Sequence, residues 1–343
     1  PPPPGAVAVD SCPLAGRPPQ GAAVSAPRIL VVRFAAIGDC VMAAWAATAL
    51  RRQFPEAFIG WAVQREPVPV LAVPDLVNEV VVFDRRRWKN MSGPAAFREQ
   101  WAQWMRLRQL NFDVGFDFQG HSKTALALRL SGAKRRISTR ATDALARTLN
   151  PPAALAGDVT HEVDRAMAAA RLISPLETPE RPIMPNLDAE VAAFRAEFPG
   201  RLITIQTGAT ESVKRFAPEK WAEVAAGLVA PGTQIVAVGG PGDPEIPHDQ
   251  VINRVGAYDL RTSMALVAAS HLHVAADTGT GHMAAAYGVP VVSVFSKNRP
   301  ERFRPYTTQG RIIHGGMRAD DSDPADVIHA AQELLEETCA SSS

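Results

Sequence analysis

Asp277-Thr278-Gly279-Thr280-Gly281-His282 joins an apolar run, His271 to Ala276, to a helix-like segment, Met283 to Tyr287. A strand that turns through glycines into a helix aims unpaired backbone N–H groups at one point, and such a point attracts phosphate. The ligand implied by this stretch is a nucleotide or a nucleotide sugar.

Working outward, the chain from Arg28 alternates short apolar runs with segments of helical period, the pattern of parallel sheets with crossover helices. Ile29–Phe34, Phe58–Val63, Glu79–Phe83 and Asp113–Phe118 are expected strands, with helices at Val41–Gln53, Pro94–Leu110 and Ser122–Ser131. After a proline-rich stretch, Ser174 to Pro185, a second series begins. Its strands are expected at Leu202–Thr207, Gln234–Gly239, His271–Ala276 and Pro290–Phe295, and its helices at Pro218–Val229, Leu260–Ala269 and Gly281–Tyr287. The expected fold is α/β, with two Rossmann-like domains facing a central cleft at the carboxyl ends of their strands. The boundaries are drawn at residues 28–178 and 179–343. The last helix, about Pro324 to Glu337, is able to pack on either half, including back onto the first.

A length of 343 residues exceeds one ordinary core, in keeping with two domains. The formal net charge of +1 exerts no global pull on nucleic acid, so an anionic partner must be met by a local patch. Cys12, Cys40 and Cys339 form no CxxC pair and no even disulfide framework, which fits a reducing cytoplasm. Residues 1–27 are rich in proline and alanine and are expected to be a disordered leader. Pro13, Pro18 and Pro19 interrupt any apolar signal core, and no later segment supplies the roughly 18 apolar residues of a spanning helix. Trp101 to Leu110, with Trp101, Trp104, Arg106 and Arg108, reads either as a helix packing its Trp residues on the sheet or as one resting on a membrane surface.

Three further loops follow strands. Ala35-Ala36-Ile37-Gly38-Asp39 ends the first, where Gly38 permits a tight turn and Asp39 falls at a helix start. Asp39 there is either an N-cap, contributing on the order of 1 kcal/mol, or a catalytic carboxylate. In Gln206 to Phe216, the small and hydroxyl residues with Lys214 suit a diphosphate, although a solvated loop reads the same way. Gly239-Gly240-Pro241-Gly242-Asp243 allows close approach of a base or ribose. The chain has no GxxxxGK[ST], no GxGxxG after the first strand, no HExxH and no GxSxG, which removes the main support for a P-loop NTPase, a dehydrogenase, a zincin or an α/β-hydrolase. Asp321 and Asp323 are spaced like metal ligands, but Asp323 precedes Pro324 as a cap would, and no metal or cofactor is assigned.

Taken together, Arg33 to Asp39, Asp117-Phe118-Gln119-Gly120-His121-Ser122-Lys123, Gly208-Ala209 with Lys214-Arg215-Phe216, and Asp277 to His282 resemble glycosyltransferase family 9, the ADP-heptose:lipopolysaccharide heptosyltransferases. The motifs stand in the family's order and span nearly everything after Arg28. The resemblance implies a GT-B fold and an inverting, metal-independent transfer from a nucleotide diphosphate sugar, commonly ADP-L-glycero-D-manno-heptose, to a lipid-linked acceptor. Gln119, Gly120 and Lys123, with Arg85-Arg86-Arg87-Trp88-Lys89 upstream, are more similar to the heptosyltransferase I type, which acts on Kdo-lipid A. In that light Asp39 is the expected general base and Lys214 the cation that stabilises departing ADP. Donor contacts are expected from Thr207, Gly208, Thr210, Ser212, Gly239 and Gly240, and from Asp277, Thr278, Gly279, Thr280, Gly281 and His282. Acceptor contacts are expected from Gly38, Arg87, Lys89, Gln119, Gly120 and Lys123. The enzyme is expected in the cytoplasm, either free there or in peripheral contact with the cytoplasmic face of the inner membrane.

His161-Glu162-Val163-Asp164-Arg165 is also similar to a family segment and is read here as a helix opening. Two features depart from the pattern: Ser296-Lys297-Asn298-Arg299-Pro300 replaces a Gly-Pro-Thr-Asp-Pro-like turn, and Pro241 to Pro247 leaves little room for a crossover helix. Two other functions stay open, a transferase for another nucleotide sugar or glycan acceptor and a binding module without turnover. Retention of Asp39, Lys214 and the 277–282 turn speaks for an active enzyme, and the missing dinucleotide glycine pattern speaks against an NAD-binding protein.

Overall fold

The computed structural model describes residues 26–341, so the leader expected over 1–27 falls almost entirely outside the described residues. The first sheet is wholly parallel, with strands β1 (Arg28–Val32), β2 (Phe58–Val63), β3 (Glu79–Val82), β4 (Val114–Asp117) and β5 (Arg135–Ser138) in the order β3-β2-β1-β4-β5. Ile29, Leu30, Val31 and Val32 are fully buried, because helices cover both faces of β1; this is why the strand reads as an unbroken apolar run. On one face lie α1 (Ile37–Gln53) and, packed on it, α6 (Glu162–Ala170). On the other lie α3 (Gly93–Gln109) and α4 (Ser122–Leu130), with the short α2 (Arg85–Lys89) beside α3 and α5 (Ala144–Leu149) against α4.

After α7 (Asp188–Glu197), the second sheet repeats the plan. Its strands are β6 (Arg201–Gln206), β7 (Thr233–Val238), β8 (Val251–Asn253), β9 (Leu272–Ala276), β10 (Val291–Phe295) and β11 (Gly310–His314), in the order β11-β10-β9-β6-β7-β8 and again all parallel. Helices α8 (Pro218–Leu228), α9 (Leu260–Ala269), α10 (Gly279–Tyr287), α11 (Pro300–Phe303) and α12 (Pro324–Ser341) complete it. No helix lies between β7 and β8, as the short Pro241–Pro247 stretch implied. The last helix packs on α8 and on β9, β10 and β11, and so on the second half rather than back on the first.

Both sheets reverse strand order once, between β1 and β4 and between β6 and β9. At such a reversal the outgoing connections part to opposite faces and leave a crevice beyond the strand ends, where α/β sheets bind ligands. Two sheets of this kind facing each other make the GT-B arrangement. The halves meet through α1, which is buried along nearly its whole length between α6 and α10. Its alanines, Ala43, Ala44, Ala46 and Ala47, let those neighbours approach closely. Thr48 Oγ1 accepts the Ile183 N–H at 2.8 Å, and Trp45 meets Tyr306 edge-on at 5.6 Å.

Two sequence expectations need correction at their ends. α1 begins at Ile37, four residues before the expected start, and its N-cap is Ala36, so Asp39 is inside the first turn rather than at the cap. α10 begins at Gly279, two residues early, with Thr278 as N-cap. In both places glycines that suggested loop are absorbed into the opening turn of the helix.

Candidate active site

The four strands flanking the two reversals deliver most of the candidate residues. Beyond β1, Arg33 and Phe34 leave the strand on opposite sides. Arg33 turns toward α1 and α6, where its Nη2 stands 2.6 Å from Asp39 Oδ2 while Nη1 bonds the Phe118 carbonyl. Asp39 also reaches back to accept the Ala36 N–H at 2.8 Å, satisfying one of the amides a helix start leaves unpaired. Burial works against its charge. The Arg33 guanidinium and these hydrogen bonds prevail and hold the carboxyl below its ordinary range, so Asp39 is ionised. The Asp39 side chain remains 22% exposed, open to the cleft.

At the end of β4, Asp117 is fully buried and accepts the N–H groups of Gln119 at 2.9 Å and Gly120 at 2.8 Å. Burial outweighs those bonds and pushes its carboxyl up to about 6. Gln119 is anchored by its Oε1, which accepts the Phe34 N–H at 2.9 Å. Gly120 has φ of 75°, and a Cβ there would run into the Arg140 carbonyl, so glycine is demanded by packing. Both residues hold the β1 and β4 loops in shape.

In the second half, Lys214 Nζ stands 2.9 Å from Asp277 Oδ2, and the same oxygen accepts Asn298 Nδ2 at 2.5 Å. Lys297 pairs with Glu211 at 3.0 Å. The Ser296–Pro300 turn, which departs from the expected pattern, is thus tied onto the lysine-carboxylate cluster. Thr207 Oγ1 is buried without a partner among the described residues, beside Gly208 and Gly239. A Cβ on Gly208 would fall on the Asp243 carboxylate, which itself accepts the Gly240 N–H at 2.6 Å. Thr210 and Ser212 are exposed on the loop above.

The opening turn of α10 carries no side-chain cap. Beneath it His273 bridges Thr204 Oγ1 at 2.8 Å and Thr280 Oγ1 at 2.9 Å, and burial lowers its pKa to about 3, so the bridge is neutral. His282 is buried with Nδ1 unpartnered among the described residues; burial holds its pKa well below the usual range against the pull of Asp277 and Asp39. The starts of α1 and α10 nearly touch. A Cβ on Gly38 would lie 2.5 Å from His282 Cδ2, and one on Gly279 would lie 3.2 Å from the Gly38 nitrogen. Two positive helix ends therefore converge beside Asp39 and His282.

The sequence model of glycosyltransferase family 9 (heptosyltransferase) matches residues 100–323, more than half of the chain. The chain belongs to glycosyltransferase family 9. Lipopolysaccharide heptosyltransferase 1 of Pseudomonas aeruginosa is 27% identical over 287 residues, 80% of this chain and 79% of its own. Among solved structures, E. coli heptosyltransferase WaaC with ADP superposes with a TM-score of 0.74 at 20% identity, over 90% of this chain and 99% of its own. A glycosyltransferase family 9 protein from Veillonella parvula DSM 2008 does so with a TM-score of 0.75 at 17% identity, over 91% and 97%. These two likenesses agree with the fold described above.

For this family 9 glycosyltransferase, several residues near the cleft escaped sequence reading. The motifs contain Arg33 and Asp117 without showing a role for either. In sequence, Glu162 reads only as part of a helix opening. That reading holds for His161, whose Nδ1 accepts the Val163 N–H at 3.1 Å while Nε2 donates to the Arg304 carbonyl at 2.9 Å. It is incomplete for Glu162, a buried carboxylate that shares a small cavity with Arg33 and Asp39 and pairs with both Arg140 and Arg302. On the basic side, Arg87 is tied to Glu99 at 2.8 Å, whereas Arg85, outside the expected set, lines one cavity together with Lys89 and Lys123.

Proposed function

We propose that this glycosyltransferase moves heptose from ADP-heptose to a lipid-linked inner-core acceptor of the Kdo-lipid A type, without a metal and with inversion at the anomeric carbon. The observation that carries this reading is the pairing across the cleft: an ionised carboxylate, Asp39, on one side, and Lys214 with the uncapped start of α10 on the other. The kinship with Pseudomonas lipopolysaccharide heptosyltransferase 1 supports the choice of sugar and acceptor.

In this reaction the acceptor hydroxyl oxygen forms a bond to the anomeric carbon while the bond from that carbon to the β-phosphate oxygen breaks. The hydroxyl proton passes to Asp39, and ADP leaves with the electron pair. Lys214 and the N–H groups of Gly279, Thr280 and Gly281 take up the charge that develops on the β-phosphate. Asp277 keeps Lys214 in place before the donor arrives. Thr207, Thr278 and His282 offer polar atoms to the phosphates and sugar, Thr210 and Ser212 close over them, and Gly208, Gly239 and Gly240 give the adenosine room. On the acceptor side, Lys89 and Lys123 meet carboxylate and phosphate groups, Arg87 supports them through Glu99, and Gly38, Gln119 and Gly120 shape the loops that carry Asp39. The first domain, 28–178, thus holds the acceptor and the second, 179–343, the donor. Among the described residues no helix is long and apolar enough to cross a membrane. We place the enzyme in the cytoplasm, meeting its acceptor at the inner-membrane surface.

The test is a donor panel. Purified protein is given Kdo-lipid A and, in turn, ADP-heptose, ADP-glucose, UDP-glucose and GDP-mannose, with and without EDTA, and released nucleotide and product anomer are recorded. ADP-heptose should be used at least tenfold faster than the others, with EDTA without effect and the product anomer opposite to the donor's. A preferred donor other than ADP-heptose, loss of activity in EDTA, or a retained anomer would each overturn the corresponding part.

A further inference from the structure

The first turn of α6 grips one stretch of the second half. Glu162 Oε1 accepts Arg302 Nε at 2.6 Å, His161 Nε2 donates to the Arg304 carbonyl at 2.9 Å, and Asp164 Oδ1 accepts the Tyr306 O–H at 2.8 Å. The Tyr306 ring lies 4.9 Å from that of His161 and meets Trp45 of α1 edge-on. Alternate residues of 302–306 thus engage α6, which itself packs on α1, the helix that carries Asp39. At its other end the same stretch is tied to the donor side, through Asn298 to Asp277 Oδ2 at 2.5 Å and through Lys297 to Glu211 at 3.0 Å. Residues 297–306 therefore run as a strap from the Lys214–Asp277 cluster to the wall beside Asp39.

Glu162 is the charged point of this attachment. It is buried, its second oxygen pairs with Arg140, just beyond β5, and it shares a small cavity with Arg33 and Asp39. A buried carboxylate between guanidiniums is held to one geometry, because parting from either leaves a charge uncompensated where water does not reach it. Arg140 comes from the same half as Glu162 and aims the carboxylate, whereas Arg302 comes from the other half and fixes where that half sits. Cohesion of the first half alone would need only Arg140. We propose that Glu162 and Arg302 are positioning residues for the transfer: their ion pair clamps the donor half onto the half that carries Asp39 and so sets the span between Asp39 and Lys214. This rests on the reading of a transfer across the cleft and adds what fixes its width. That width matters, since a misplacement of about 1 Å between reacting groups is enough to cost on the order of a hundredfold in rate.

The test uses Arg302→Gln, Arg302→Lys, Glu162→Gln and the double variant Glu162→Gln/Arg302→Gln, each in the full chain. Solution X-ray scattering without ligand needs no reaction, so it decides the clamp even where the proposed transfer fails. The radius of gyration should rise in Arg302→Gln and in Glu162→Gln and return to the native value in Arg302→Lys. Transfer is then followed with the donor and acceptor that serve the native enzyme best, whichever these are. In each single Gln variant kcat should fall on the order of tenfold to a hundredfold, with no further loss in the double variant and most of the loss recovered in Arg302→Lys. The donor KM should stay within about twofold, because the donor half keeps its own contacts. A pair that only held the fold together would lower the unfolding midpoint and leave these ratios alone. If Glu162→Gln does not fold, Arg302→Gln, at a side chain 37% exposed, still decides the matter. A native radius of gyration or native kcat in Arg302→Gln, losses that add in the double variant, or a donor KM that rises in step with the fall in kcat would overturn the proposal.

Discussion

Asp39 has to be ionised before the reaction and to accept a proton during it. Arg33 secures the first at 2.6 Å, and the same contact makes the second harder, because a carboxylate stabilised by a guanidinium is a weaker base. The pair is therefore expected to loosen as the acceptor hydroxyl arrives. In Arg33→Gln, burial loses its main opponent and only the Ala36 N–H bond and the His282 charge still favour the carboxylate, so the acid limb of the kcat/KM profile should move upward, whereas Arg33→Lys should keep it low. An acid limb that does not move in Arg33→Gln would show that Arg33 serves packing alone. Sequence exposed Asp39 and Lys214 because each sits in a short local motif. It hid the state of Asp39, since that depends on a residue six places earlier turning to the same side of the strand, and it hid Glu162, whose partners Arg140 and Arg302 come from opposite halves of the molecule.

At the level of elements, α1 and α10 meet through glycine, and the meeting brings their positive ends together. In Gly38→Ala the new Cβ would lie 2.5 Å from the His282 ring and 3.2 Å from the Gly279 Cα, so the ring must swing or the helix starts must part. Overpacking of this kind costs about 1–3 kcal/mol. Transfer should fall at least tenfold while circular dichroism stays native; unchanged kcat/KM would mean that the close approach of these helix starts is not needed. The central strands β1, β4, β6, β9 and β10 were legible because burial on both faces leaves an apolar run. β5, Arg135-Arg136-Ile137-Ser138, was not, as its half-exposed arginines break any run. β8 and β11 are edge strands with partly exposed residues and give the same weak signal, and α7 carries its buried Phe194 among exposed charges.

Over the whole molecule, buried histidines set the acid response. His273 has a folded pKa of about 3 against 6.5, and buried His161 and His282 are also lowered. Below about 6.5 the unfolded chain binds protons that the folded one refuses, so stability is full above that pH and declines as pH falls, by about 1.4 kcal/mol per unit for each fully buried group. Asp117 works the other way: its carboxyl, raised to about 6 from 3.8, gains a proton in the folded state first and offsets part of the decline between pH 6 and 4. The histidines outnumber it, and the unfolding midpoint should drop between pH 7 and pH 5. His273→Gln, which keeps polar atoms for Thr204 and Thr280, should flatten that drop, and an unaltered slope would contradict the assignment.

The most direct measurement is the product mass after incubating ADP-heptose and Kdo-lipid A with the enzyme and with Asp39→Ala. We expect the acceptor to gain one heptose with the native enzyme, and the rate to fall on the order of a hundred- to ten-thousand-fold in the folded variant. No added heptose with the native enzyme, or transfer at full rate by Asp39→Ala, would contradict the mechanism at its centre.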